Sequence, residues 1–138
     1  MLIKGNSKKT ADNVSEIKLL NRFKRLTNEY YSNERGIKFY ASKLSVSTSY
    51  LHKIAKRQLN TTPAVFINSV VLRQARFLLT IPKYNISEIA YELSFSDIHS
   101  FSKYFKKHTG ISPTQYRLKR TTQELYRNGQ EIPHLDNS

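Results

Sequence analysis

The chain states one pattern twice. Residues 41–47 read ASKLSVS and residues 90–96 read AYELSFS, so Ala41, Leu44, Ser45 and Ser47 return as Ala90, Leu93, Ser94 and Ser96. Downstream, Lys56, Thr62 and Pro63 return as Lys106, Ser112 and Pro113. The first set repeats after 49 residues and the second after 50, which places one inserted residue between Ser96 and Phe101. A recurring set of small, apolar and turn residues asks for the same short supersecondary unit twice. A chain of 138 residues has room for one domain or two very small ones.

Each unit reads as a helix-turn-helix. In the first, Tyr40, Leu44, Val46, Leu51 and Ile54 are the apolar positions that hold two short helices together. Ala41 is small where the helices cross, Ser45 sits in the turn, and Ser47 caps the second helix. In the second unit the apolar set is Ile86, Ile89, Leu93, Phe95, Phe101 and Tyr104, with Ser94 in the turn and Ser96 as cap. Asn85 with Glu88 forms a capping box before it, and Gly110 stops it. Upstream, Asn13 with Glu16 reads as another capping box. It opens a helix that carries Ile17, Leu20, Phe23, Leu26 and Tyr30 on one face. Thr62-Pro63 opens a long helix over 63–80 that Pro82 ends, and Ser112-Pro113 with Gln115 opens a last one.

The expected fold is all-α, with seven helices and two helix-turn-helix subdomains joined by a long linker helix. The expected boundaries are a flexible arm at 1–12, the first subdomain at 13–61 and the linker at 62–81. The second subdomain follows at 82–120, then a polar tail at 121–138.

Charge narrows the partner. Lys and Arg number 23 against 10 acidic residues, a net charge of +13, which calls for an anionic partner. No apolar run approaches the ~18 residues of a spanning helix, and MLIKGNSKKT lacks the apolar core of a secretory signal. The absence of cysteine removes disulfides and thiolate zinc fingers and fits a reducing compartment. The four His residues have no metal-ligand spacing and the four Gly residues form no phosphate loop. The expectation is therefore a cytoplasmic, nucleoid-associated protein that is not an enzyme, with no membrane partner, cofactor or metal.

The segment ISEIAYELSFSDIHSFSKYFKKHTGISPTQYR, residues 86–117, carries the most specific text. It resembles the DNA-binding domain of the AraC/XylS family of bacterial transcription regulators. FYASKLSVSTSYLHKIAK, residues 39–56, resembles that family's first, weaker module. The resemblance covers roughly residues 15–120. Ser94 and Asn60 stand where the family favours Gly, and Ile98 where Pro is common. Ser and Asn tolerate tight turns, so these departures do not threaten the fold.

The resemblance implies two recognition helices in successive major grooves of double-stranded DNA. Base-reading positions are then Ser49, His52 and Lys53 in the first module, and Ile98, His99, Ser102 and Lys103 in the second. Lys can donate to guanine O6 and N7, His and Ser can pair with several bases, and Ile98 can touch a thymine methyl. Phosphate contacts fall to Lys56, Arg57, Lys106, Lys107 and Arg117. Neutralising ~6–10 phosphates would lower affinity by roughly 10³–10⁵ between 50 and 200 mM salt. The linker helix, about 25 Å long at 1.5 Å per residue, would help span groove faces ~34–36 Å apart.

Blander readings compete. Lys106 and Lys107 alone would be a solvated face, Arg73 and Arg76 solvate the linker helix, and His108 reads as structural or exposed. Phe95, Phe101 and Phe105 match the inward face and read as core. The expected function is a sequence-specific transcription regulator with RNA polymerase as a candidate second partner. The rival is a nonspecific architectural or transposition-associated DNA binder, which would favour uniform Lys and Arg on the outward face. Family members often carry a separate ligand-binding or dimerisation domain ahead of this one. The effector site is accordingly expected outside this chain, with a standalone regulator and a C-terminal fragment both left open.

Overall fold

The computed structural model describes residues 3–129, with side chains from residue 10 onward. Among these residues there are seven α-helices and no strand: α1 Ile3–Tyr30, α2 Ile37–Lys43, α3 Thr48–Leu59, α4 Pro63–Leu79, α5 Ile86–Glu92, α6 Ile98–Thr109 and α7 Pro113–Arg127. No helix among them is long and apolar enough to cross a membrane. Two compact units divide between Val71 and Leu72, so the boundary falls inside α4.

The first unit is built on α1, α2 and α3. Its core is Leu20 and Phe23 of α1, Tyr40, Ala41 and Leu44 around α2, Leu51, Ile54 and Ala55 of α3, and Ile67 of α4. Phe23 meets Tyr40 edge-on at 5.7 Å between ring centroids. The Tyr40 hydroxyl donates to Glu34 O at 2.6 Å, and burial pushes its phenol up to about 12. Thr27, also fully buried, donates to Phe23 O one turn back, so its hydroxyl is satisfied within the helix. Ile67 brings the N-terminal half of α4 into this core.

The second unit buries Ala75 and Leu79 of α4, Ile89 and Ala90 of α5, Leu93, and Phe101 and Phe105 of α6. Phe95 lies 5.3 Å from Phe101 between centroids, and Phe105 lies 5.7 Å from Tyr116 of α7.

The repeat holds bond for bond. Leu44, Ser45 and Val46 N–H donate to Tyr40, Ser42 and Ala41 O; Leu93, Ser94 and Phe95 N–H donate to Ile89, Tyr91 and Ala90 O. Ser45 and Ser94 sit in the turn as expected, and both are left-handed there, with φ of 57° and 61°. Asn60 and Gly110 close α3 and α6 in the same region, at 55° and 89°. A left-handed L-residue costs roughly 1–2 kcal/mol, against glycine's greater freedom when unfolded. Ser45→Gly is therefore expected to stabilise the first unit by about 0.5–1 kcal/mol, read as a raised thermal midpoint. A lowered midpoint would assign the Ser45 side chain a stabilising contact.

Five expectations are corrected. The N-cap of α6 is Asp97, whose carboxylate accepts from Ser100 N at 2.8 Å, and not Ser96. The repeat's inserted residue is thus Ser96 itself: turn bonds recur after 49 residues up to Phe95, and cap bonds after 50 from Asp97. Residues 3–12 are the first turns of α1 rather than an arm. Once a helix is nucleated it propagates at low cost where no proline intervenes. Asn13 consequently lies inside α1 and caps nothing; its side chain accepts from Gln58 Nε2 at 2.6 Å. Residues 121–127 extend α7, with the Thr121 and Thr122 hydroxyls donating to Arg117 and Leu118 O. The remainder of the expected tail, 130–138, lies outside the described residues. The other caps stand as expected: Ser47 accepts from Tyr50 N, and Asn85–Glu88 and Ser112–Gln115 are reciprocal capping boxes.

Candidate nucleic-acid interface

In each unit the second helix of the motif has one buried and one open face. On α3, Leu51, Ile54 and Ala55 are fully buried, and Ser49, His52 and Lys53 are exposed on the other side. The buried positions recur every three to four residues, so the intervening polar residues share the opposite face. His52 Nδ1 lies 3.0 Å from Thr48 O. A carbonyl only accepts, so Nδ1 carries the proton of that bond; in the neutral ring Nε2 is left as an outward acceptor. On α6, Phe101 and Phe105 are buried, and Ile98, His99 and Lys103 are exposed. Ser102 is half-buried at the edge of that face.

The cationic residues fall into two groups. Lys56, Lys106 and Lys107 are exposed in the last turns of α3 and α6. Cations there also favour the negative helix end, so their position alone does not specify a ligand. Arg57 and Arg117 are engaged within the fold. Arg57 Nη2 and Nε donate to Glu16 Oε2 and Oε1 at 2.7 and 3.1 Å. Arg117 Nε and Nη2 donate to Leu79 and Ile81 O at 3.0 and 3.3 Å, tying α7 to the C-terminal end of α4. His108 packs its ring on Tyr104 at 4.5 Å, which fits the structural reading.

Tyr50, not among the expected site residues, also belongs to the open face of α3, where it is 43% exposed. Asp97 is a second addition. Hydrogen bonds from Ser100 hold its carboxyl below the usual carboxylate range, so the N-terminus of α6 carries a fixed negative charge. Among the described residues no three His, Asp or Glu side chains gather where they could hold a metal ion.

A family model described as a helix-turn-helix domain matches residues 40–119, which spans both motifs. The chain belongs to the AraC-type helix-turn-helix family. Among AraC-type relatives, it is 35% identical over 98 residues to the Msm operon regulatory protein of Streptococcus mutans, covering 71% of this chain and 35% of that protein. It is 32% identical over 92 residues to the HTH-type transcriptional activator RhaS of Escherichia coli, covering 67% of this chain and 33% of that one. The chain thus spans about a third of the length of these regulators. Of AraC-type folds, the C-terminal domain of AraT, a response regulator from Geobacillus stearothermophilus, superposes with a TM-score of 0.65 at 25% identity. That match covers 87% of this chain and 93% of that domain.

Proposed function

We propose that this chain binds double-stranded DNA sequence-specifically and regulates transcription, with α3 and α6 each entering a major groove. The observation that carries the reading is the chemistry of the two open faces. Ser49, His52 and Lys53 on one helix, and Ile98, His99 and Lys103 on the other, mix donors, acceptors and an aliphatic tip above a buried apolar face. Base edges differ in donors, acceptors and methyls, so a mixed face discriminates among them, whereas uniform Lys and Arg would not. The net charge of +13 supplies attraction to the backbone, and Lys56, Lys106 and Lys107 are its assigned phosphate contacts. The names of the Msm regulatory protein and RhaS describe regulators, which supports the same role here. RNA polymerase is a candidate second partner, and residues 13–61 and 82–120 are the assigned reading modules. The chain acts as a binding module rather than an enzyme, at the nucleoid in the cytoplasm.

Selection from randomised duplex DNA at about 150 mM salt, where exposed charges beyond ~8 Å are screened, is expected to recover two unlike half-sites roughly 10 base pairs apart. One half-site alone would assign specificity to a single helix. No enrichment with retained low-salt binding would instead identify a nonspecific architectural binder.

A further inference from the structure

The carboxylate of Glu16 receives three N–H donors from two consecutive residues of α3. Arg57 gives two, and Gln58 Nε2 gives a third to Oε1 at 2.9 Å while also reaching Asn13. The partners are 41 and 42 residues apart in sequence, so the cluster joins α1 to the last turn of the first recognition helix. The Glu16 side chain is 10% exposed and that of Arg57 is 51% exposed. The acid is embedded in the α1–α3 seam, while the guanidinium lies at the surface with its fork turned onto the acid. Beside the pair, an open groove of about 760 Å³ is lined by Thr10, Asp12 and Glu16 of α1 and by Tyr50, Lys53 and Arg57 of α3. Base-reading and cationic side chains of α3 therefore share a groove with two α1 carboxylates. Hydrogen bonds from Gln58 and Arg57, with the charges of Arg57 and Lys53, hold the Glu16 carboxyl below its usual range despite burial. It is charged throughout the neutral range. A fork-to-fork guanidinium–carboxylate pair uses the same donors that would grip a phosphate.

The geometry points to Glu16 as a positioning residue that stands in for a backbone phosphate: it withholds Arg57 from DNA and pins the last turn of α3. This inference rests on the DNA-binding reading above. It divides the two modules, because the position equivalent to Arg57 in the repeat is Lys107, which is exposed and free to meet a phosphate. The first module consequently grips the backbone with fewer charges and depends more on its base-facing side chains.

The test is the salt dependence of binding by the full chain, measured by fluorescence anisotropy on the best selected duplex and on a random one. Glu16→Gln keeps the shape of the side chain and releases Arg57. Each phosphate newly neutralised steepens the slope of log K against log salt by ~0.9, about a threefold extra loss over a fourfold rise in salt. Glu16→Gln is expected to show that increment on both duplexes, and the double variant Glu16→Gln/Arg57→Gln to return to the parent slope. A Glu16→Gln slope equal to the parent's overturns the proposal, and so does a double variant that stays steep. Arg57→Gln alone keeps the test decisive if Glu16→Gln melts early, since a slope reduced by ~0.9 would put Arg57 on a phosphate already. The random duplex separates the two readings. Failure to discriminate sequences overturns the specific regulator but leaves the Glu16 increment measurable, and absence of any DNA binding overturns both.

Discussion

Phe101→Ala is expected to cost about 3–5 kcal/mol, the range for emptying a buried aromatic site, and to unfold the second unit. Phe101 has no solvent exposure and lies within 5.3 and 5.9 Å of the Phe95 and Phe105 ring centroids. It lies on the buried face of α6, so its loss opens the packing of that helix against Phe95. A unit this small has little stability in reserve: domains hold roughly 5–15 kcal/mol in total, and short chains bury proportionally less surface. Helicity followed by circular dichroism during a thermal scan should show an early transition. Amide signals from α2 and α3 should outlast those of α5 and α6. A loss below about 1 kcal/mol would mean that the site collapses around alanine and that Phe101 does not organise this core.

Lys103→Ala is expected to cost ~1–3 kcal/mol on the best duplex, roughly 5- to 150-fold in affinity, and to relax choice at one base pair. Lys103 is exposed on α6, two residues beyond buried Phe101 and on the opposite side of the helix. It occupies the repeat position of Lys53, which lies on the equivalent open face of α3. Folding should be untouched, because no buried contact is removed. Competition binding against single-base variants of the site distinguishes two roles. Loss confined to the preferred duplex makes Lys103 a base reader, and equal loss on random DNA makes it a phosphate contact.

Much of this was legible in one dimension because the determining interactions are local. Turn serines, caps and the alternation of buried and open positions act over one to five residues, and the repeat states the turn and the alternation twice. The cap of α6 was misassigned because Ser96 and Asp97 are both competent caps. Only the structure shows which of them reaches the helix start: Asp97 Oδ1 accepts from Ser100 N–H, while the Ser96 hydroxyl meets the Ser100 hydroxyl. The ends of α1 and α7 were underestimated for another reason. Polar residues without apolar periodicity do not announce a helix, yet they extend one already anchored by packing.

The sequence by itself determined two helix-turn-helix units, their buried faces and a cationic surface, since periodicity and charge are properties of neighbouring residues. The tertiary structure alone decided which cations pair within the fold. Arg57 and Arg117 resemble Lys56 and Lys106 in a sequence. Yet Glu16 takes the first from 41 residues away, and the carbonyls of Leu79 and Ile81 take the second from 38 and 36. A long side chain pairs with whatever folding brings within about 3 Å, and for these two arginines that partner is set by how α1 meets α3 and how α7 meets the end of α4.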